Sequence, residues 1–172
     1  VAILLVFAVL GFVLPIFHTG NVTEWNTYPN NLKPSMEHFL GTNSLGQDIF
    51  WLLCSSIQNS FLIGLFVAVL ATAIGVLVGL AAGLQGGIAD RIIMLLADTF
   101  IVIPSLPILI LLGSLTKGTA SLFLIGGVLV VFNWPWPARQ VRSMSLTIQE
   151  SDFISTARFS GESTFRILYK EI

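Results

Sequence analysis

From residue 49 to residue 89 the chain runs 41 residues without a Lys, Arg, Asp or Glu. A helix needs about 20 apolar residues to cross the roughly 30 Å hydrocarbon layer of a bilayer, so this run spans with length to spare. Residues 1–23, 99–116 and 118–138 are also free of those four residue types. Over the whole chain 55% of residues are hydrophobic and only 10% charged, with a mean hydropathy of +0.88. A soluble domain carries about a quarter charged residues, and this chain cannot cover itself with polar surface. Apolar content this high also excludes intrinsic disorder. A net charge of −1 leaves no broad basic field for a nucleic acid. The single cysteine, Cys54, excludes an internal disulfide framework and a multi-cysteine metal site.

The expected fold is therefore all-α: a polytopic membrane protein with four transmembrane helices near residues 1–17, 58–85, 92–114 and 119–140. The first apolar stretch lacks a basic n-region and a clear cleavage site. It reads as the remainder of a transmembrane helix, cut short because the chain begins at Val1. The second span, about 28 residues and roughly 42 Å long, must tilt or project beyond the lipid. With the first span running outward, Arg91, Arg139, Arg142, Arg158, Arg166 and Lys170 lie inside, and Lys33 and Lys117 outside. That orientation obeys the positive-inside rule. It makes residues 18–57 an extracytoplasmic loop, 58–140 the remaining spans, and 141–172 a cytoplasmic segment.

Within the spans, Ala71, Gly75, Gly79 and Gly83 recur every four residues. This spacing lays a smooth strip along one helix face, for close approach of another backbone or for lining a substrate path. Pro104 and Pro107 each remove a backbone donor and are expected to disrupt the third span. Such breaks are either plain kinks or, in transporters, moving or substrate-lining segments. Asp98 is an ionisable group inside this span with no cation three or four residues away. It reaches either the cytoplasmic interface or a donor on another helix, and is a functional candidate by its cost. The fourth span ends in Trp134, Pro135, Trp136 and Pro137, interface tryptophans with prolines that bend the helix.

Thr147 followed by Glu150 has capping-box spacing and predicts a helix start near Ile148. Phe153, Ile154 and Ala157 give that helix an apolar face, Gly161 supplies a hinge, and Phe165, Leu168, Tyr169 and Ile172 repeat at helical spacing. Two short amphipathic helices outside the membrane either dock on a partner or lie on lipid or on their own spans.

Three regions carry a resemblance to the inner-membrane permease subunits of ABC importers of the dipeptide, oligopeptide and nickel type. His38-Phe39-Leu40-Gly41-Thr42-Asn43-Ser44-Leu45-Gly46-Gln47-Asp48 is similar to the family's His-x-Leu-Gly-Thr-Asp-x-x-Gly-Arg-Asp signature. Pro104-Ser105-Leu106 and the stretch from Trp134 to Arg142 resemble its third and fourth spans, and residues 153–172 resemble its "EAA" loop. Here Ser155-Thr156-Ala157 stands for Glu-Ala-Ala, Asn43 for the usual Asp and Gln47 for the usual Arg. The last two changes lose charges of opposite sign, so the two positions are expected to be neighbours. The chain stops before the family's last two spans and is expected to be a fragment.

The resemblance implies a multi-pass permease subunit of the plasma (inner) membrane that forms half of a translocation pathway and works by alternating access. Its implied partners are a second permease subunit, two cytoplasmic ATPase subunits and an extracytoplasmic solute-binding protein, with peptides, nickel or an oligosaccharide as cargo. The chain carries no phosphate loop of the type G-x-x-x-x-G-K-[ST]. It is thus expected to bind no cofactor and no metal, with ATP and magnesium on the partner ATPases. Ser155, Thr156, Ala157, Arg158, Gly161, Phe165, Arg166 and Leu168 would couple to those ATPases, and Asp98, Pro104 and Ser105 are candidates for the pathway. Two other classes stand beside this one. An intramembrane enzyme would have to use His18, His38, Asp48 or Asp98, which show neither metal-type spacing nor a recognisable nucleophile–base pair. A small membrane scaffold or channel without an ATPase partner is permitted by the spans and the glycine strip, but not asked for by the paired amphipathic tail helices.

Overall fold

The computed structural model describes residues 2–18, 20–116 and 121–149. Its regular elements are all helices, and the chain divides into two compact units, Val1–Leu65 and Phe66–Ile172.

In the first unit, α1 (Ala2–Ala8) continues through a π-helical turn, Val9–Val13, and a 3₁₀ turn, Leu14–Phe17. Gly11 lies close to helix α2 (Ile49–Gln85): a Cβ there would come within 2.9 Å of Ile57 Cγ2. Phe12 meets Phe61 edge-on at 6.0 Å nearby. Helix α2 begins at Ile49, nine residues before the span expected from residue 58. The polar residues between Ser55 and Ser60 sit within this helix; Ser56, for example, donates to the Leu52 carbonyl at 2.8 Å. Asp48 fixes the start, its Oδ1 accepting from the Phe50 and Trp51 amides at 2.9 and 3.3 Å. This is N-cap chemistry, which satisfies donors that have no partner inside the helix.

The second unit holds the rest of α2, then α3 (Gly87–Val102), α4 (Ser105–Leu115), α5 (Leu122–Asn133) and α6 (Pro135–Gln149). Gly86 and Gly87, at φ of 60° and 59°, turn the chain out of α2 through backbone angles that side chains disfavour. α3 and α4 are bent by 65° about Ile103 and Pro104. There is one break where the two prolines suggested two. Pro104 precedes α4 in an extended conformation, whereas Pro107 sits in the first turn of α4, where an amide would have no intrahelical partner. Ser121 caps α5, its hydroxyl accepting from the Leu124 amide at 3.2 Å. Trp134 alone separates α5 from α6, which opens on the fully buried Pro135.

The helix start expected near Ile148 is not there. α6 runs unbroken through Thr147, whose hydroxyl donates back to the Ser143 carbonyl at 3.1 Å. That i to i−4 bond places Thr147 inside a helix rather than at its cap. Residues 141–149 thus belong to a helix packed within the second unit.

Two described helical stretches are long and apolar enough to cross a membrane, Ile49–Gln85 and Leu122–Gln149 (α5 with α6); the bent α3–α4 pair makes a third if it is one span. Ala2–Phe17 is apolar but shorter. Leu77, Val102, Leu115 and Phe123 are among the many large apolar side chains left exposed. Faces of this kind belong against lipid or protein, and the chain is an all-α membrane protein.

Candidate functional site

The 38–48 signature is a tightly tied loop. Thr42, Gln47 and Asp48 are buried. The Thr42 hydroxyl donates to the Pro29 carbonyl at 2.6 Å and accepts from the Leu32 amide at 2.9 Å, so one side chain clasps the preceding stretch of loop. His38 Nδ1 lies 2.7 Å from Asp48 Oδ2, and the same carboxylate caps α2 through its other oxygen. Gly41 and Gly46 sit at φ of 73° and 70°, with the Leu32 and Tyr28 carbonyls where a Cβ would go. Leu40 is exposed beside this knot. His18, a candidate of the enzyme reading, stacks instead on Trp51 with ring centres 4.6 Å apart.

Asn43 and Gln47 are neighbours, as their paired loss of charge led one to expect. Asn43 Nδ2 donates to Gln47 Oε1 at 2.8 Å, and Gln47 Nε2 donates onward to the Thr23 carbonyl at 2.9 Å. Asn43 Oδ1 accepts from the Leu45 and Gln47 amides at 2.9 and 3.0 Å. Each polar atom of the pair thus has a partner, which is what burial of neutral amides requires.

The small-residue strip on α2 meets α6. A Cβ on Gly75 would approach Pro137 Cγ to 2.5 Å and the Trp134 carbonyl to 2.9 Å. One on Gly79 would strike the Ala138 carbonyl and Val141, and one on Gly83 would lie 2.7 Å from Ser145 Oγ. Gln149 Nε2 donates to the Gly83 carbonyl at 2.9 Å, fastening the far end. Ala71, at the near end, is buried. Of the two readings of this strip, close helix packing is the one these contacts describe.

Every charged residue described between residues 66 and 149 lines one groove of about 550 Å³ on α3 and α6: Asp90, Arg91, Asp98, Arg139 and Arg142. Arg142 grips Asp90 with two hydrogen bonds, Nε to Oδ1 at 2.5 Å and Nη2 to Oδ2 at 2.6 Å. Asp98 pairs with Arg139, and both side chains of that pair are about half exposed. The donor expected for Asp98 is therefore on another helix, 41 residues along the chain. Pro104 and Ser105 sit at the α3–α4 bend, and neither touches this groove. The Asp90–Arg142 pair is not legible in the sequence, because residues 52 apart carry no local spacing signal. Its only trace there is the scarcity of charge in this part of the chain. Ser155, Thr156, Ala157, Arg158, Gly161, Phe165, Arg166 and Leu168, expected to couple to an ATPase, lie outside the described residues.

Residues 75–172, which include the three glycines of the strip, the bent pair and α6, match the family model of the binding-protein-dependent transport system inner membrane component. The chain belongs to that family. The chain is 38% identical over 135 residues to the oligopeptide transport system permease protein OppC of Mycobacterium tuberculosis, covering 78% of this chain and 46% of that one. It is 33% identical over 171 residues to OppC of Bacillus subtilis, covering 99% and 55%. With the nickel transport system permease protein NikC of Escherichia coli it shares 31% identity over 137 residues, covering 79% and 48%. The chain spans about half the length of the curated relatives it matches. Its resemblance to ABC importer permeases of the peptide and nickel type, carried in the sequence by three motifs, is thus family membership.

Proposed function

We propose that this chain is part of the permease subunit of an ATP-driven importer of the inner membrane, with peptides as its cargo. Several of its relatives are named for oligopeptides and dipeptides, and one for nickel. The observation that carries the reading is mechanical. α6 ends at Gln149, next in sequence to residues 150–172, and it is seated on the glycine strip of α2 and tied to the broken α3–α4 pair. A displacement entering at the end of α6 reaches the bent segment without passing through a loop.

In this reading a second permease subunit completes the pathway, and two cytoplasmic ATPases hydrolyse ATP with magnesium. An extracytoplasmic solute-binding protein delivers and selects the peptide. Residues 153–172 dock on an ATPase, with Phe165 and Leu168 supplying buried area and Arg158 and Arg166 polar contacts. ATPase closure then moves packed helices as bodies and switches access from outside to inside.

The test is uptake of a labelled oligopeptide by proteoliposomes containing the full-length permease pair and its ATPases. ATP-dependent uptake that is abolished by Gly161→Pro, with membrane insertion intact, is expected. Unchanged uptake in that variant refutes the coupling role of the segment. Peptide flux through the permease alone, without ATPase, favours the channel reading.

A further inference from the structure

In lipid, apolar helix faces gain little by meeting one another, since acyl chains are as apolar as leucine. A helix position inside a membrane is therefore held by shape and by directional polar contacts. The second unit uses one device on each side of α6. Against α2 it uses chiefly shape, with glycines at three successive turns meeting Pro137, Ala138 and Ser145 and a single hydrogen bond from Gln149 to the Gly83 carbonyl at the far end. Against α3 it uses charge.

The two ion pairs between α3 and α6 are unequal. Asp90 and Arg142 form the two-pronged pair, and the Asp90 side chain is 14% exposed. Asp90 also lies in the first turn of α3, where the helix dipole favours a carboxylate. The Asp98–Arg139 pair lies two turns further along α3 and is about half exposed, so water competes for it. The hold is thus firm at the start of α3 and weak towards Pro104, where the chain bends by 65° into α4.

We propose that Asp90 and Arg142 are a positioning pair. They form the fulcrum about which a displacement of α6 swings the far end of α3 and the bent α4. This rests on the transport reading above and adds the residues that transmit the motion. A bidentate guanidinium–carboxylate fork fixes direction as well as distance, which a single point contact does not. The half-exposed outer pair opens and recloses as the far end swings.

The experiment uses the full-length permease complex in proteoliposomes with Asp90→Asn, Arg142→Gln and the charge swap Asp90→Arg with Arg142→Asp. Spin labels at the exposed Ile92 and Met144 report the α3–α6 distance. The pair predicts one narrow distance in the parent, broadened in each single variant and narrowed again in the swap. Peptide taken up per ATP hydrolysed is expected to fall about tenfold or more in the single variants, the equivalent of one charged hydrogen bond, and to recover in the swap. A distance unbroadened in either single variant, or a swap that restores neither readout, overturns the proposal. A parent complex without ATP-driven uptake refutes the transport reading instead, and the distance measurement still decides the pair.

Discussion

Gly75 offers the sharpest test of the helix packing. A methyl placed there meets a proline ring and a backbone carbonyl, with Pro137 Cγ at 2.5 Å, Pro137 Cβ at 2.8 Å and the Trp134 carbonyl at 2.9 Å. None of these can rotate away, because the ring is closed and the carbonyl belongs to the turn between α5 and α6. Gly75→Ala therefore forces α6 off α2, and overpacking of this kind costs about 1–3 kcal/mol. Against that, replacing a helical glycine by alanine stabilises by about 1 kcal/mol. Gly64 lies on the same helix, and a methyl added there would have no atom within 4 Å, so Gly64→Ala gains the helix contribution without the clash. The helix contributions cancel between the two variants, leaving Gly75→Ala less stable than Gly64→Ala by about 1–3 kcal/mol. Thermal unfolding of the detergent-solubilised full-length permease, followed for both variants side by side, measures the difference. Equal stability, or a Gly75 variant above the Gly64 variant, would refute the packing argument.

In the signature loop, Asn43→Asp sets a carboxylate oxygen against Gln47 Oε1, and Gln47→Arg sets a buried cation against the Asn43 amide. Each single change is expected to cost about 1–3 kcal/mol, as a spoiled buried hydrogen bond does. The double change restores an ion pair, so limited proteolysis between residues 20 and 48 should speed up in the singles and slow again in the double. Asp48→Ala removes the α2 cap and the partner of His38 together, for a cap loss of about 0.5–2 kcal/mol beyond the unpaired imidazole. Asp48→Asn keeps an oxygen for the Phe50 and Trp51 amides and should lose less, measured by amide hydrogen exchange over the first turn of α2.

The membrane class, the glycine strip and the proline break were legible because each is written in local spacing or composition. A run without charge, a four-residue repeat and a missing amide act where they stand. The family signature was legible as a motif, and the neighbouring of Asn43 and Gln47 followed from their departures from it, which lose charges of opposite sign. Legibility ended where side-chain chemistry served two conformations. Thr147 before Glu150 satisfies a capping box on paper, yet the ladder of α6 was already running when it reached Thr147, and the hydroxyl turned back to Ser143. The start of α2 at Ile49, ahead of the span expected from residue 58, is set by the Asp48 cap.

The amino-acid order alone thus determined that these segments live in lipid and which face of α2 is smooth. Which helix fills that smooth face, and which arginine answers each aspartate, only the tertiary structure decided. The reason is physical. Hydrophobicity and backbone propensity are summed along the chain, whereas an ion pair between Asp90 and Arg142 depends on two helices arriving side by side from positions 52 residues apart.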